Sequence, residues 1–190
     1  MLKDRCRQRG NLIIESIIVL AILMVITLVA VAIARFVNQS NLVYRERVIL
    51  TAAVEGVNRY FVKNGESIVS FGSAPGFADP LSPTVTELIS KGFFPPTFSG
   101  NTPSGGNLLI VVRRGVSNDL TGIVCDNKTI QENGKDSFSL AAKIALATPS
   151  GVSTSPLDTA TLNGSTFKGI GSPFSSPALA CAIAYLPAPT

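Results

Sequence analysis

Residues 11–34 read NLIIESIIVLAILMVITLVAVAIA, and this stretch decides how the chain is built. From position 12 onwards its 23 residues include only three polar side chains, which are Glu15, Ser16 and Thr27. A helix of about 20 apolar residues spans the hydrocarbon core of a bilayer, so the stretch predicts a membrane-spanning helix. It also explains why a chain of 190 residues has a hydrophobic content of 46% and a mean hydropathy of +0.37.

The net charge of +4 is concentrated just before this stretch. Residues 1–10 carry a net charge of +3, whereas the other 180 residues hold 12 basic and 11 acidic side chains. By the positive-inside rule, the N-terminus stays in the cytosol and the chain after the helix lies outside it. The balanced charge of that larger part predicts no basic face, and therefore no specific nucleic-acid partner.

The composition excludes several classes of enzyme. The chain has no histidine, which removes Ser-His-Asp and Cys-His catalysis and histidine metal sites. Its three cysteines, Cys6, Cys125 and Cys181, are too scattered for a zinc site. The acidic residues Asp126, Glu132 and Asp136 fall in a predicted loop and are interpreted as solvated charges. We therefore expect no enzyme activity, no cofactor and no metal.

The apolar stretch has three interpretations: a cleaved signal peptide, a permanent membrane anchor, and a segment in which Glu15 has a function. A secretory signal peptide would be cut at one of two A-x-A sites, at residues 30–32 or 32–34. A permanent anchor would let Glu15 reach the lipid headgroups, because a carboxylate deeper in the bilayer costs roughly 2.5–3.5 kcal/mol. In the third interpretation, Glu15 is needed for assembly.

The third interpretation has a specific motif. Residues 7–15, RQRGNLIIE, resemble the class III signal of type IV pilins and pseudopilins. The resemblance implies that a prepilin peptidase cuts between Gly10 and Asn11, that Asn11 becomes N-methylated, and that Glu15 is the fifth mature residue. It further implies that Glu15 pairs with the N-terminal amine of a neighbouring subunit, which would make a buried carboxylate tolerable.

The resemblance also implies a place and a role. The subunit would sit in the bacterial inner membrane by one span, and inner-membrane assembly machinery would add it to an extracellular filament of identical or related pilin subunits. Such a pilus would serve adhesion, conjugation or surface attachment. Residues 87–95, ELISKGFFP, resemble an element of type IVb and conjugative-pilus pilins. The alternatives are a type II secretion pseudopilin and a membrane-anchored periplasmic binding or enzyme domain in which Glu15 is incidental.

The cysteines fit the same scheme. Cys6 precedes the apolar stretch, so it is interpreted as an incidental leader thiol rather than a lipidation site. Removing the leader leaves Cys125 and Cys181 as an even pair in a compartment that permits disulfides. Type IV pilins commonly carry a disulfide near the C-terminus, and the resemblance implies one here. Two buried free thiols are the alternative.

The helix is predicted to continue beyond the apolar stretch, because no glycine or proline occurs between positions 11 and 55. Leu50, Val54, Val57 and Phe61 form an apolar stripe at helical spacing. Other positions carry the charged residues Arg45, Glu46, Arg47, Glu55, Arg59 and Lys63. This pattern predicts a helix half-buried against a domain, with Gly56 marking close packing or a bend. The pair Asn64-Gly65 is the predicted stop.

The chain therefore divides into four predicted parts: a leader at 1–10, a transmembrane or filament-core helix at 11–34, the head-domain half of the helix at 35–64, and a globular head at 65–190. In the head we expect a loop at 65–83, a short capped helix starting after Thr84, and an antiparallel hairpin of residues 108–112 and 120–125. A helix at 137–147, with a strand as the alternative, an irregular loop at 148–177 and a last strand at 181–186 follow. The expected fold class is α+β and pilin-like, with a small antiparallel sheet on the second half of the long helix.

Overall fold

The computed structural model describes the backbone of residues 2–174 and 177–188, and the side chains of residues 14–174 and 177–188. In these ranges the chain forms three helices and eight strands. The helices are α1 (Leu2–Phe71), α2 (Val85–Ser90) and α3 (Phe138–Ala147). The strands are β1 (Leu108–Arg114), β2 (Leu120–Asp126), β3 (Gln131–Glu132), β4 (Lys135–Asp136), β5 (Gly151–Ser155), β6 (Asp158–Gly164), β7 (Ile170–Gly171) and β8 (Ala180–Leu186).

The chain divides into two compact units, residues 1–41 and residues 42–190. The first unit is the N-terminal part of α1. The second unit contains the rest of α1, both short helices and all the strands. The predicted division at 34/35 stays a prediction.

The second unit is built on a six-stranded antiparallel sheet with the strand order β1-β2-β8-β5-β6-β7, and β3 and β4 form a separate hairpin. The apolar stripe of α1 faces this sheet. Leu50, Val57 and Phe61 are buried, and a side chain added at Gly122 of β2 would come within 2.9 Å of both Val57 and Phe61. The predicted α+β fold, a long N-terminal helix on an antiparallel sheet, is confirmed.

Helix α1 does not end at the predicted Asn64-Gly65 pair. It continues to Phe71 and ends at Gly72, which has a φ of +63° and donates its N–H to the carbonyl of Ile68 at 3.0 Å. Asn64 is buried, and its side-chain amide donates to the carbonyl of Tyr60 at 3.2 Å, which keeps it within the helix. Gly65 lies against Leu186 of β8. The pair therefore serves packing rather than termination, and the loop predicted from residue 65 begins only after α1 ends.

The two short helices and the hairpin follow the sequence prediction. Thr84 caps α2 through a reciprocal pair of bonds, in which its hydroxyl accepts from Glu87 N at 3.2 Å and the Glu87 carboxylate accepts from Thr84 N at 2.9 Å. Ser137 caps α3 by accepting from Leu140 N at 3.3 Å, which confirms the helix rather than the strand. Strands β1, β2 and β8 lie where the sequence places them.

The irregular loop predicted at 148–177 is wrong, because β5, β6 and β7 lie in it. The polar composition suits these strands. Val152 and Leu162 are fully buried, and the hydroxyl-bearing residues Ser153 and Thr154 of β5 are buried as well. Thr154 is buried, and its hydroxyl accepts from Leu179 N at 3.0 Å. The buried hydroxyl of Thr154 thus has a hydrogen-bond partner, which makes its place inside a sheet tolerable.

Candidate assembly surface and buried carboxylates

The N-terminal half of α1 presents an uncovered apolar surface. Every side chain from residue 14 to residue 38 is exposed. An 18-residue window of the helix reaches a mean hydropathy of 3.3, and the helix is long and apolar enough to cross a membrane. Exposing that much contiguous apolar surface to water is unfavourable, so lipid or other apolar helices must cover it.

Two polar side chains on this surface, Thr27 and Glu15, differ in whether their own helix provides a partner. Thr27 donates its hydroxyl to the carbonyl of Met24 at 2.8 Å, which pairs the group inside its own helix. Glu15 is exposed, and it is the only charged residue between positions 14 and 34. Its carboxylate therefore has no cation on this part of the helix to offset its charge. The structure brings Glu15 onto the apolar surface, as the sequence predicts.

The predicted cleavage residues, Gly10 and Asn11, lie in the stretch of α1 whose side chains are outside the described residues. The cut between them and the methylation of Asn11 stay predictions.

The predicted cysteine pair is joined. Cys125 and Cys181 are bonded with an S–S distance of 2.04 Å, and both are fully buried. They occupy directly opposite positions on the neighbouring strands β2 and β8. Ile123, Val152 and Leu179 pack with them in one apolar cluster. The disulfide thus fastens the last strand to the centre of the sheet and confirms the sequence prediction.

Two acidic residues, neither of which is predicted to lie in the core, are buried. Glu46 on α1 is 0% exposed, and its Oε1 accepts from Ser104 N at 2.8 Å. Asp126, the last residue of β2, is also 0% exposed and accepts from the Ser104 hydroxyl and from Lys128 N, the latter at 3.0 Å. The prediction of a solvated charge at Asp126 is wrong, and Glu46 lies on the buried side of α1 although it is predicted to lie apart from the apolar stripe. Asp136 is exposed, as expected.

Burial changes the protonation of Glu46. The pKa of the Glu46 carboxyl is raised to about 7, chiefly by burial and also by the nearby Asp126 carboxylate, and this net rise already includes the lowering effects of the Ser104 hydrogen bonds and Arg45. Glu46 Oε2 is buried and has no hydrogen-bond partner among the described residues. This carboxyl can therefore hold a proton near neutral pH.

A signal for the burial of Glu46 is present in the sequence. Glu46 precedes Leu50 by four residues, Val57 by eleven and Phe61 by fifteen, so it lies in phase with the buried stripe of α1. The burial of Asp126 has no comparable local signal. Asp126 is buried because β2 pairs with β1 and because the loop that carries Ser104 covers the Asp126 carboxylate.

Within the described residues, no group of three or more histidine, cysteine, aspartate or glutamate side chains is arranged to hold a metal ion. Comparisons of the chain with models of protein families, with curated protein sequences and with solved structures found no match. The fold and the exposed helix define the class: one apolar N-terminal helix that could span a membrane, continuous with an α+β head closed by a disulfide.

Proposed function

We propose that the chain is a type IV pilin-like structural subunit, of the type IVb or conjugative-pilus kind, that assembles through the N-terminal half of α1. The proposal rests chiefly on one observation, the placement of Glu15 as the only charged residue between positions 14 and 34 of α1, where every side chain is exposed and nearly all are apolar. The class III signal in residues 7–15 supports it, because it would place a new amino group four residues before Glu15.

The physical logic is an exchange of surroundings. Before assembly, lipid covers the apolar surface of α1, and Glu15 lies close enough to the cytosolic end to reach the headgroups. In a filament, neighbouring helices replace the lipid, and the Glu15 carboxylate needs a cation because its desolvation is costly. The Asn11 amine of an adjacent subunit supplies one. A subunit placed in the wrong register would leave both charges unpaired, so the pair sets the register.

Cleavage can be tested by intact mass. The full chain is expressed with and without a prepilin peptidase, and its mass is measured before and after reduction and alkylation. We expect the loss of residues 1–10, with or without one added methyl group, and alkylation of Cys125 and Cys181 only after reduction. A Gly10→Val variant is the matched control and should stay uncut, because the peptidase acts after a glycine.

Each alternative has its own result in this experiment. An uncut wild-type chain in the presence of an active peptidase contradicts the proposal and favours a plain anchor. A mature chain that starts at Arg35 would mean a signal peptide and a secreted head. The inner-membrane insertion of the uncut protein, with its N-terminus in the cytosol, is checked by protease accessibility of residues 1–10 in spheroplasts.

Assembly is tested separately with Glu15→Gln. This variant should insert into the membrane and be cleaved as the wild type is, yet fail to enter filaments, because the charge pair is lost. Thr27→Val is the matched control, since Thr27 is polar, lies on the same surface and pairs within its own helix. Normal filaments from Glu15→Gln would refute the assembly role. Short periplasmic fibres formed only with a type II secretion system would favour a pseudopilin.

A further inference from the structure

Glu46 and Asp126 lie on different elements, α1 and β2, and a single residue of the segment at 99–107 bridges them. Ser104 donates its backbone N–H to Glu46 at 2.8 Å and its hydroxyl to Asp126. We propose that Glu46, Ser104 and Asp126 form a proton-operated latch, which holds the segment 99–107 against α1 while Glu46 is protonated and releases it when the proton leaves.

The segment is shaped so that Ser104 reaches both carboxylates. The hydroxyls of Thr102 and Ser104 lie 2.9 Å apart, and Gly106 N donates to the Thr102 hydroxyl at 2.9 Å. A side chain at Gly106 would come within 2.1 Å of the Asp126 carboxylate. The absence of a side chain there lets the backbone pass directly over Asp126. The segment is thus fitted to the carboxylate pair.

The charges around Glu46 come from two elements. Asp126 faces it from β2, and Arg45 acts on it from its own helix. The segment 99–107 contributes hydrogen-bond donors and has no charged residue. Among the described residues, the salt bridge that forms joins Arg59 to Glu55 elsewhere on α1, and neither Glu46 nor Asp126 takes part in one. The pair therefore has no buried cation to balance it.

A proton is the species that fits this arrangement. Both oxygens of Asp126 accept hydrogen bonds, and Glu46 Oε1 accepts one, whereas Glu46 Oε2 is buried with no hydrogen-bond partner among the described residues and so nothing there stabilises a negative charge. Protonation of Oε2 removes one of two buried negative charges. When the proton passes to bulk water, the two carboxylates repel each other in a poorly hydrated site, and opening the segment relieves the repulsion by admitting water.

The latch acts where the sheet begins. The segment 99–107 leads into the edge strand β1, and its Gly100 carbonyl accepts from Leu108 N at 2.7 Å. Release would therefore loosen the start of β1 and the part of α1 near Glu46, while the disulfide-linked centre of the sheet stays closed. This inference does not depend on the assembly proposal, because every group in it belongs to the second unit.

Hydrogen exchange of the full chain in detergent micelles tests the latch. Protection of the amides at 100–107 is measured by mass spectrometry between pH 5.5 and 8.5 and corrected for intrinsic exchange. With a pKa of about 7 in the closed state and 4.5 when released, the open population should rise about 30-fold over this range. Peptides from β8, which pairs with β2 and β5 and not with β1, should keep their protection and serve as the internal reference.

Two variants make the test specific. Glu46→Gln should abolish the pH dependence, because an amide cannot lose the proton. Glu66→Gln is the matched control, since Glu66 is an exposed glutamate on the same helix, and it should retain the wild-type profile. Should Glu46→Gln not fold, Asp126→Asn takes its place, and it should reduce the 30-fold change because the repulsion is lost.

Three results would overturn the latch. The first is pH-independent protection of residues 100–107 in the wild type. The second is a pH dependence that persists in Glu46→Gln. The third is full recovery of protection at pH 8.5 on adding calcium chloride, which would show that a cation rather than a proton occupies the carboxylate pair.

Discussion

Gly56 lies in the middle of α1, and we predict that Gly56→Ala destabilises the head. A Cβ atom at this position would be 1.8 Å from Phe94 Cε1 and 2.2 Å from Phe94 Cδ1. Phe94 is 2% exposed, and its ring stacks on Phe98 with the centroids 4.3 Å apart. The ring cannot move away from the new methyl group without disturbing this stacking, so the substitution must displace packed core.

Two opposing terms set the magnitude. Replacing glycine by alanine inside a helix gains about 1 kcal/mol in helix propensity. Overpacking a core costs about 1–3 kcal/mol, and occasionally more. A contact of 1.8 Å lies far inside van der Waals distance, which places the cost at or above the upper end. We therefore expect a net loss of about 2 kcal/mol, or a Tm lower by about 4–8 °C.

The assay is urea unfolding of the full chain in detergent, followed by the near-UV circular dichroism of the tyrosines, because Tyr60 is fully buried beside this site. Gly65→Ala is the matched control on the same helix. Its Cβ would be 2.6 Å from a terminal methyl of the half-buried Leu186, which can rotate away. We expect Gly65→Ala to lie within about 1 kcal/mol of the wild type.

The comparison of the two glycines decides the outcome. If Gly56→Ala is as stable as Gly65→Ala, the close packing of Phe94 on α1 is wrong. The double variant Gly56→Ala, Phe94→Leu should recover part of the loss, because the smaller side chain makes room for the methyl group. Additive losses in the double variant would place the effect somewhere other than this contact.

Three further predictions concern the head. Reduction of the Cys125–Cys181 disulfide, which has a sequence separation of 56, should lower the free energy of unfolding by about 4 kcal/mol, measured by urea unfolding with and without reductant. Thr84→Ala should cost about 1 kcal/mol in the same assay, whereas Thr86→Ala, on the exposed side of α2, should cost less. Because burial raises the pKa of Glu46 from 4.5 to about 7, its contribution to stability is fully present below pH 4.5 and is lost as the pH rises to about 7. The loss amounts to about 3 kcal/mol, and Glu46→Gln should remove this part of the pH dependence; an unchanged profile in that variant would refute the assignment.

The elements that the sequence predicts correctly are specified locally. The capping box at Thr84 uses two residues three positions apart, and the apolar stripe of α1 repeats within each pair of turns. Gly56 could be singled out as a packing position because a glycine costs stability in a helix unless something approaches closely. Such signals need no knowledge of the rest of the fold.

The elements that the sequence mispredicts depend on distant partners. The Asn64-Gly65 pair resembles a helix end, yet Leu186 of β8 packs over Gly65 and the helix continues. Strand β5 lacks an alternating apolar pattern, and it exists because it pairs with both β6 and β8. Ser153 and Thr154 are buried in it only because the sheet is complete. Local propensity cannot report a partner that lies tens of residues away.

The two glutamates at positions 15 and 46 break the apolar pattern of α1 in the same way, and their surroundings separate them. Glu46 finds its partner inside the chain, at Ser104, 58 residues later. Glu15 lies on a surface that has no other charged residue between positions 14 and 34. A carboxylate on such a surface must be offset by lipid headgroups, by water or by a charge from another molecule. Because Glu46 has a partner within the chain and Glu15 has no cation between positions 14 and 34, we expect the partner of Glu15 in a neighbouring subunit, as proposed above. Glu15→Gln is therefore the substitution that separates assembly from insertion.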